Sequence, residues 1–399
     1  MEAAQSTPIP TGQVPAVTLK LLTGGQEDGG RAAGVFTAED LISLLLYVRT
    51  ARRLPQDLDS FVKDLGSDNT GIPGLEPVDI VTLYQKVTDH ANRWTPVEDL
   101  VKNQASVLTL AAQEIVSTGG AILKVINAMD IVDQLNSLGE SGGTIVIATG
   151  KDKQIQASLP TVIEKLRKTC SDQQERTRAV LTAVRDYKTE ISGGQLSNNT
   201  QVTGLEPAVA DKKNRARAAN LSEKIVALQS EIDALDPQID QLKKDYDKYV
   251  GLAFTGAAGG PIGLAITGGI FGAKAEAVRK QRNELIDQKN QKAAELQRDQ
   301  RIQGILNIFS TQFTDLGMRL LDAEQALMHL DFLWEDIITR IDHSVQKWAG
   351  VTDSTMLLSF VDDLNGVVTP WTGVGDMTSK LSKVFDQAYE TFRRTYDTP

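Results

Sequence analysis

Apolar residues return along this chain at alternating steps of three and four, the spacing of helices that each bury one stripe. The pattern starts at Thr37, where Asp40 three residues on makes a capping box. Leu41, Ile42, Leu44, Leu45, Tyr47 and Val48 then form a short amphipathic helix that stops at Pro55. A second short helix, Leu58 to Leu65, leads into the turn-rich GSDNTGIPGLEP, and a third starts near Pro77 and ends before Thr95 and Pro96. Val97, Val101, Gln104, Leu108, Ala111, Ile115, Thr118, Ile122, Val125, Met129 and Val132 hold a heptad that Gly119 and Gly120 are placed to bend. A break follows, GESGGTIVIATGKDK, whose core Thr144–Thr149 reads equally as a short strand or an extended link. The next helix has Pro160 in its first turn and a seam of Leu159, Ile163, Leu166, Cys170, Gln173, Thr177, Val180, Val184, Tyr187 and Ile191. SGGQLSNNTQVTGLEP is the clearest loop in the chain.

The second half runs out to an apolar tip and returns. Leu221, Ile225, Leu228, Ile232, Leu235, Ile239, Leu242, Tyr246 and Tyr249 keep the 4-3 series unbroken, with a kink expected at Pro237. Tyr249–Ala273 then carries no charged residue over roughly 25 positions, the length scale of a bilayer crossing. Gly259, Gly260 and Pro261 sit at its middle, so the stretch reads as a hairpin of two short apolar helices. Lys274 opens a polar arm to about Arg301, after which the seam resumes with Phe309, Phe313, Leu316, Leu320, Ala323, Leu327, Leu330, Trp334, Ile337, Ile341, Ser344 and Trp348, closed by Gly350. Two amphipathic stretches, Met356–Leu364 and Met377–Tyr396, end the chain.

One continuous helix from Lys274 to Ala349 would be on the order of 110 Å long. The descending arm from Pro207 covers only its first half, and the helices at 97–138 and 159–192 are the natural partners of its second. The expected fold is therefore all-α: an elongated rod with a helical tail bundle, a long antiparallel coiled-coil stalk and an apolar helical-hairpin tip. Residues 1–35 read as a loose leader, 36–210 and 305–399 as the bundle, 211–248 and 274–304 as the stalk, and 249–273 as the hairpin.

The tip chemistry points at a membrane. Its large apolar side chains are Leu252, Phe254, Ile262, Leu264, Ile266, Ile270 and Phe271, among many glycines. Gly256/Gly260, Gly259/Gly263 and Gly268/Gly272 have the small-xxx-small spacing that lets helices approach closely in lipid. Each arm of the hairpin is only roughly 15 to 18 Å as helix, so it would dip into a bilayer of about 30 Å rather than cross it. Gly256, Gly259, Gly260, Pro261, Gly268 and Gly269 are the hinge and turn candidates. The purely structural alternative is a buried core hairpin, which the polar flanks disfavour. Lys274, Arg279 and Lys280 are candidates for contact with anionic headgroups. Pairing across the stalk is the alternative, since folding about Pro261 brings Arg279 and Arg282 near Asp245 and Asp240, and Arg282 fits that reading better. Tyr246 and Tyr249 suit an interfacial position or seam packing.

Composition narrows the function. A formal net charge of −10 argues against nucleic acid as a partner. The N-terminus has neither a basic nor an apolar region of a secretory signal, so an extracellular role needs another route of export. Cys170, the single cysteine, falls on a helix seam and reads as a small buried hydrophobe. ATGKD at 148–152 fails as a phosphate loop, having Ile145 where Gly is needed and Asp152 where Ser or Thr is needed. The Gly-rich tip lacks the preceding strand of a dinucleotide site. His329 and His343 lie about 21 Å apart along one helix, and His90 stands alone. No catalytic, metal or cofactor constellation is expected.

Two stretches, DHANRWTPVEDLVKNQASVLTLAAQEIVSTG and GPIGLAITGGIFGAKAEAVRKQRNELI, resemble the A component of the α-xenorhabdolysin binary toxins, within the cytolysin-A-like α-pore-forming group. The resemblance runs from about residue 36 to the end. It implies a soluble monomer, an apolar head that meets the target-cell membrane, and a second toxin component, the B subunit, with which a hetero-oligomeric ring forms. The short Gly-Pro-broken tip departs from a simple pore former. The leading expectation is thus a non-enzymatic toxin subunit, secreted without a visible signal peptide, whose tip is folded back or partly covered until it meets a membrane. The alternative is a coiled-coil scaffold anchored to the producer's own membrane by the same hairpin.

Overall fold

A computed structural model of the chain describes residues 35–65, 68, 72–138, 144–148, 150–218, 223–255, 277–289 and 301–396. The helices are α1 (Ala38–Arg52), α2 (Leu58–Leu65), α3 (Pro77–Asn92), α4 (Trp94–Asn127), α5 (Asp130–Leu138) and α6 (Gly150–Ser192). After the two-residue strands β1 (Gly194–Gln195) and β2 (Gln201–Val202) come α7 (Leu205–Ala218), α8 (Glu223–Thr255) and α9 (277–289). α10 (Arg301–Ala349), α11 (Ser354–Val368), a 3-10 turn (Thr369–Gly373) and α12 (Val374–Tyr396) complete the chain. The expected all-α class holds.

Local chemistry sets the ends of these elements. Thr37 caps α1 with its side chain on the Asp40 amide, while Asp40 accepts back from the Thr37 amide at 2.8 Å. Pro77 occupies the first turn of α3, where its missing N–H costs nothing. Pro160 is not in a first turn as the spacing predicted: α6 already starts at Gly150, anchored by Asp152, which accepts from the Asp130 and Ile131 amides and so caps α5 as well. Residues 144–148 form an extended link, with Ile147 donating to Thr352 O and Ser354 donating to Ile145 O.

α6 packs along α10 on one side and α4 on the other, with α11 and α12 closing the outside. Every residue of the predicted α6 and α10 seams is buried. The seam of α4 holds through Ile122 and then slips: Val125 is 39% exposed and Ile126 takes its place inside, because the helix stops at Asn127 and the chain turns.

The three long helices share two apolar cores. One gathers α1, α3, α7, the start of α4, the end of α6 and the first half of α10. The other takes the rest of α4, the start of α6, the second half of α10 and α11. Where one gives way to the other, the seam residues Gln104, Thr177 and Trp334 hydrogen-bond to one another, while the side-chain oxygen of Gln173 is buried without a hydrogen-bond partner. Thr177 Oγ1 accepts from Gln104 Nε2 at 2.8 Å and Trp334 Nε1 at 3.1 Å, and donates to Gln173 O at 2.9 Å. Gln104 and Thr177, polar positions that break a stripe in the sequence, thus meet Trp334 across three helices.

The loop between α6 and α7 is a tight hairpin, not an open connection. Gly193 and Gly204 both have φ of +83°, and a Cβ on Gly204 would stand 2.2 Å from Gly193 N. Only glycine fits either place.

Candidate membrane-contacting hairpin and its dock on the bundle

The apolar stretch 249–273 begins as the last turns of α8, whose backbone carries Leu252 and Phe254. Ile262, Leu264, Ile266, Ile270, Phe271, Lys274 and the glycine and proline turn candidates lie outside the described residues. What the structure does define is how the two arms beside the tip are held.

The arms double back on the bundle. Arg282 Nη2 donates to Thr314 O at 2.9 Å. In one continuous helix those residues would be about 48 Å apart. α9 therefore runs antiparallel along the first half of α10, and the expected unbroken helix from Lys274 to Ala349 is not formed. α8 turns in the same way: its Asp233 accepts from Arg217 at 2.6 Å and its Asp236 lies 3.9 Å from Lys213, placing it alongside α7. The sequence pattern missed this because a heptad stripe states that one face is buried, not which helix covers it.

Buried charge fixes the dock. Arg279, offered by the sequence as a headgroup contact, is only 2% exposed, with Nε 3.3 Å from Asp322 Oδ2 and Nη1 3.5 Å from Asp40 Oδ1. That corrects its role in this conformation: its counter-ions are two carboxylates of the bundle. Lys280, one residue on, is exposed. Arg319 Nη1 donates to the same Asp40 oxygen at 2.9 Å, and its Nε reaches Asp315 at 2.7 Å. Desolvation opposes the Arg319 charge, but Asp315 and Asp40 outweigh it and hold its pKa up. Among the described residues no carboxylate comes as close to Arg282; burial brings its pKa down to about 10, with Asp315 and Glu206 opposing. Further along α9, Lys289 pairs with Asp236 of α8. Tyr246 and Met318, with Val278 and Leu321 against them, form a small apolar cluster separate from the two main cores.

Sequence reasoning missed Asp40, Asp315, Arg319 and Asp322. The sequence pattern accounts for Asp40 by its cap alone, and Asp315, Arg319 and Asp322 lie off the apolar seam of α10, so no pattern singles them out. Cys170 is buried as expected, and burial pushes its thiol up to about 12. Among the described residues no group of three or more His, Cys, Asp or Glu could hold a metal ion. One described stretch, residues 77–127, is long and apolar enough to cross a bilayer by composition, but its seam residues build the bundle's cores.

The helical bundle is that of the α-helical pore-forming toxins, as its relatives show. YaxA from Yersinia enterocolitica is 38% identical over 90% of this chain and 100% of its own, with a TM-score of 0.53. The YaxAB pore complex matches at 38% identity over 90% of this chain and 100% of that one, with a TM-score of 0.52. XaxA from Xenorhabdus nematophila matches at 33% identity over 90% of this chain and 99% of its own, with a TM-score of 0.50. No family model and no curated protein matches the chain. The chain belongs to the A-component family of the α-xenorhabdolysin binary toxins, and it is a pore-forming toxin subunit.

Proposed function

We propose that this subunit contacts the target membrane through residues 249–273 and assembles there with a second toxin component into a ring-shaped pore. It works by assembly rather than catalysis, as a soluble protein that leaves its producer and ends on a foreign membrane. The observation that carries the reading is the placement of the arms. α8 and α9 bring both ends of an uncharged, glycine-rich stretch to one side of α10, where Tyr246, Val278 and Met318 lie together. A stretch so flanked enters lipid as a hairpin, and burial of its Leu, Ile and Phe side chains supplies the free energy. The two-component pore is the assembly named for YaxAB, a relative of this chain.

The test is liposome flotation of the wild type against the double variant Leu264→Asp, Ile266→Asp. Wild type should rise with the vesicles and the variant should stay in the soluble fraction. Equal flotation of both would remove residues 249–273 as the contact. Lysis of red cells only when the second component is added supports the two-subunit assembly, and full lysis by this chain alone would overturn it.

A further inference from the structure

Near the end of α9 four helices bring three cations to one place. Lys213 of α7 and Lys289 of α9 are 7% and 3% exposed, and both turn to a single carboxylate, Asp236 of α8. Lys289 pairs with it closely, while Lys213 Nζ stands 3.9 Å from it and 3.4 Å from the Ser310 hydroxyl of α10. Arg217, the third cation, lies 3.9 Å from Asp236 and is engaged by Asp233 at 2.6 Å. Among the described residues, these three positive charges share two negative ones. Burial, and next the Lys289 ammonium, bring the Lys213 pKa down to about 8, with Asp236 opposing. Two buried ammonium groups over one carboxylate form a charge arrangement that an anion balances.

Asn307 of α10 is an independent sign of a ligand. It is completely buried, and neither Nδ2 nor Oδ1 of its side chain has a hydrogen-bond partner among the described residues. An unmatched buried polar group costs about 1–3 kcal/mol, so a native structure rarely keeps two on one side chain without a use. The helix register puts this amide at the cations. α9 runs antiparallel on α10 with Arg282 at Thr314 and Val278 beside Met318, and the same register carries Lys289 opposite Asn307. Lys213 arrives one turn further on, at Ser310. The place therefore offers four kinds of donor (two ammonium groups, a hydroxyl and an amide N–H) and one unused acceptor, Asn307 Oδ1. Chloride and sulfate match the donors but give the acceptor nothing. Hydrogenphosphate matches both, since its oxygens accept and its own P–O–H donates. Asp236 and Arg217, 34% and 38% exposed, mark the side from which an ion enters.

We propose that Lys213, Lys289, Ser310 and Asn307 form a binding site for one inorganic phosphate ion, held where α7, α9 and α10 meet beside Asp236. The free ion fits better than a phosphate monoester, because Lys213, Lys289 and Asn307 are each more than nine-tenths enclosed. The site is independent of the membrane-contact reading.

The test is equilibrium dialysis of the full chain against radiolabelled inorganic phosphate in chloride buffer at pH 7. Wild type should bind a single equivalent, and finding none would overturn the site without recourse to any variant. Lys213→Met and Asn307→Leu keep the bulk of each side chain, and each should weaken binding by about tenfold or more. Unchanged binding by both folded variants would put the ion elsewhere on the chain and overturn the assignment. Sulfate and glycerol 3-phosphate, added as competitors, should displace the label poorly. Displacement by sulfate as effective as by phosphate would remove Asn307 Oδ1 as an acceptor, and equal displacement by glycerol 3-phosphate would make the ligand a monoester such as a lipid headgroup, not the free ion. A thermal melt gives a second reading: phosphate at a hundred times its Kd should raise the wild-type melting temperature by about 2–4 °C over sulfate at equal ionic strength. Equal melting in the two salts would overturn the proposal as well.

Discussion

At the scale of single residues, the bundle treats its ionisable groups in two ways. His90 is buried and neutral: Nε2–H donates to Tyr187 O at 3.0 Å, leaving Nδ1 to accept from the Tyr47 hydroxyl at 2.7 Å, and the ring stacks on Tyr187 at 4.0 Å. Burial brings its pKa down to about 4, with Arg93 adding to the effect against the Tyr187 hydrogen bond. The unfolded chain, with His90 near its ordinary pKa of about 6.5, binds more protons between the two values. Stability from this group is therefore present above about pH 6.5 and lost as pH falls toward 4, an effect of order 3 kcal/mol. Replacing His90 with Gln should flatten that part of the pH-stability curve, as read by urea unfolding at pH 7 and pH 4.5. An unchanged slope would mean the histidine is not the group responsible. Asp40, by contrast, is buried against charged and hydrogen-bonding partners, the Thr37 amide, Arg319 and Arg279, and it serves as cap and counter-ion at once.

At the scale of the element, the long helices were legible because one stripe does all their burying. α6 and α10 keep an unbroken seam, and even Ser344 and Thr177 on it are inside. The reading failed where a neighbour decides. Pro160 sits deep in α6 because the helix start is set by Asp152 reaching α5, a contact between segments that spacing does not encode. Gly119 and Gly120 look alike in sequence, yet they do opposite jobs. A Cβ on Gly119 would lie 2.2 Å from Val368 Cγ2, so this glycine lets α11 approach α4, while Gly120 meets nothing within 4 Å. Gly119→Ala should therefore destabilise by about 1–3 kcal/mol through overpacking. Gly120→Ala should stabilise by about 0.5–1 kcal/mol through lost chain entropy in the unfolded state. Thermal melts of the two variants check this, and shifts of the same sign would show that the α4–α11 contact gives way easily.

At the scale of the whole molecule, the all-helical class was readable, but the course of α8 and α9 was not. A stripe such as Ile232, Ile239 and Tyr246 buries equally well against a partner arm or against a bundle. The choice here rests on Arg279 and Arg282 meeting acceptors more than thirty residues away. Since the arm contacts lie outside both cores, Asp322→Asn should leave the melting temperature of the bundle within a few degrees of wild type. A large fall would mean that dock and cores unfold as one unit.

The glycine-bound corner between α6 and α7 has a mechanical consequence. With backbone pressed on backbone at Gly193 and Gly204, that joint is a welded elbow, and the direction in which α7 leaves is set once and for all. The bundle up to the start of α7 then acts as one fixed post.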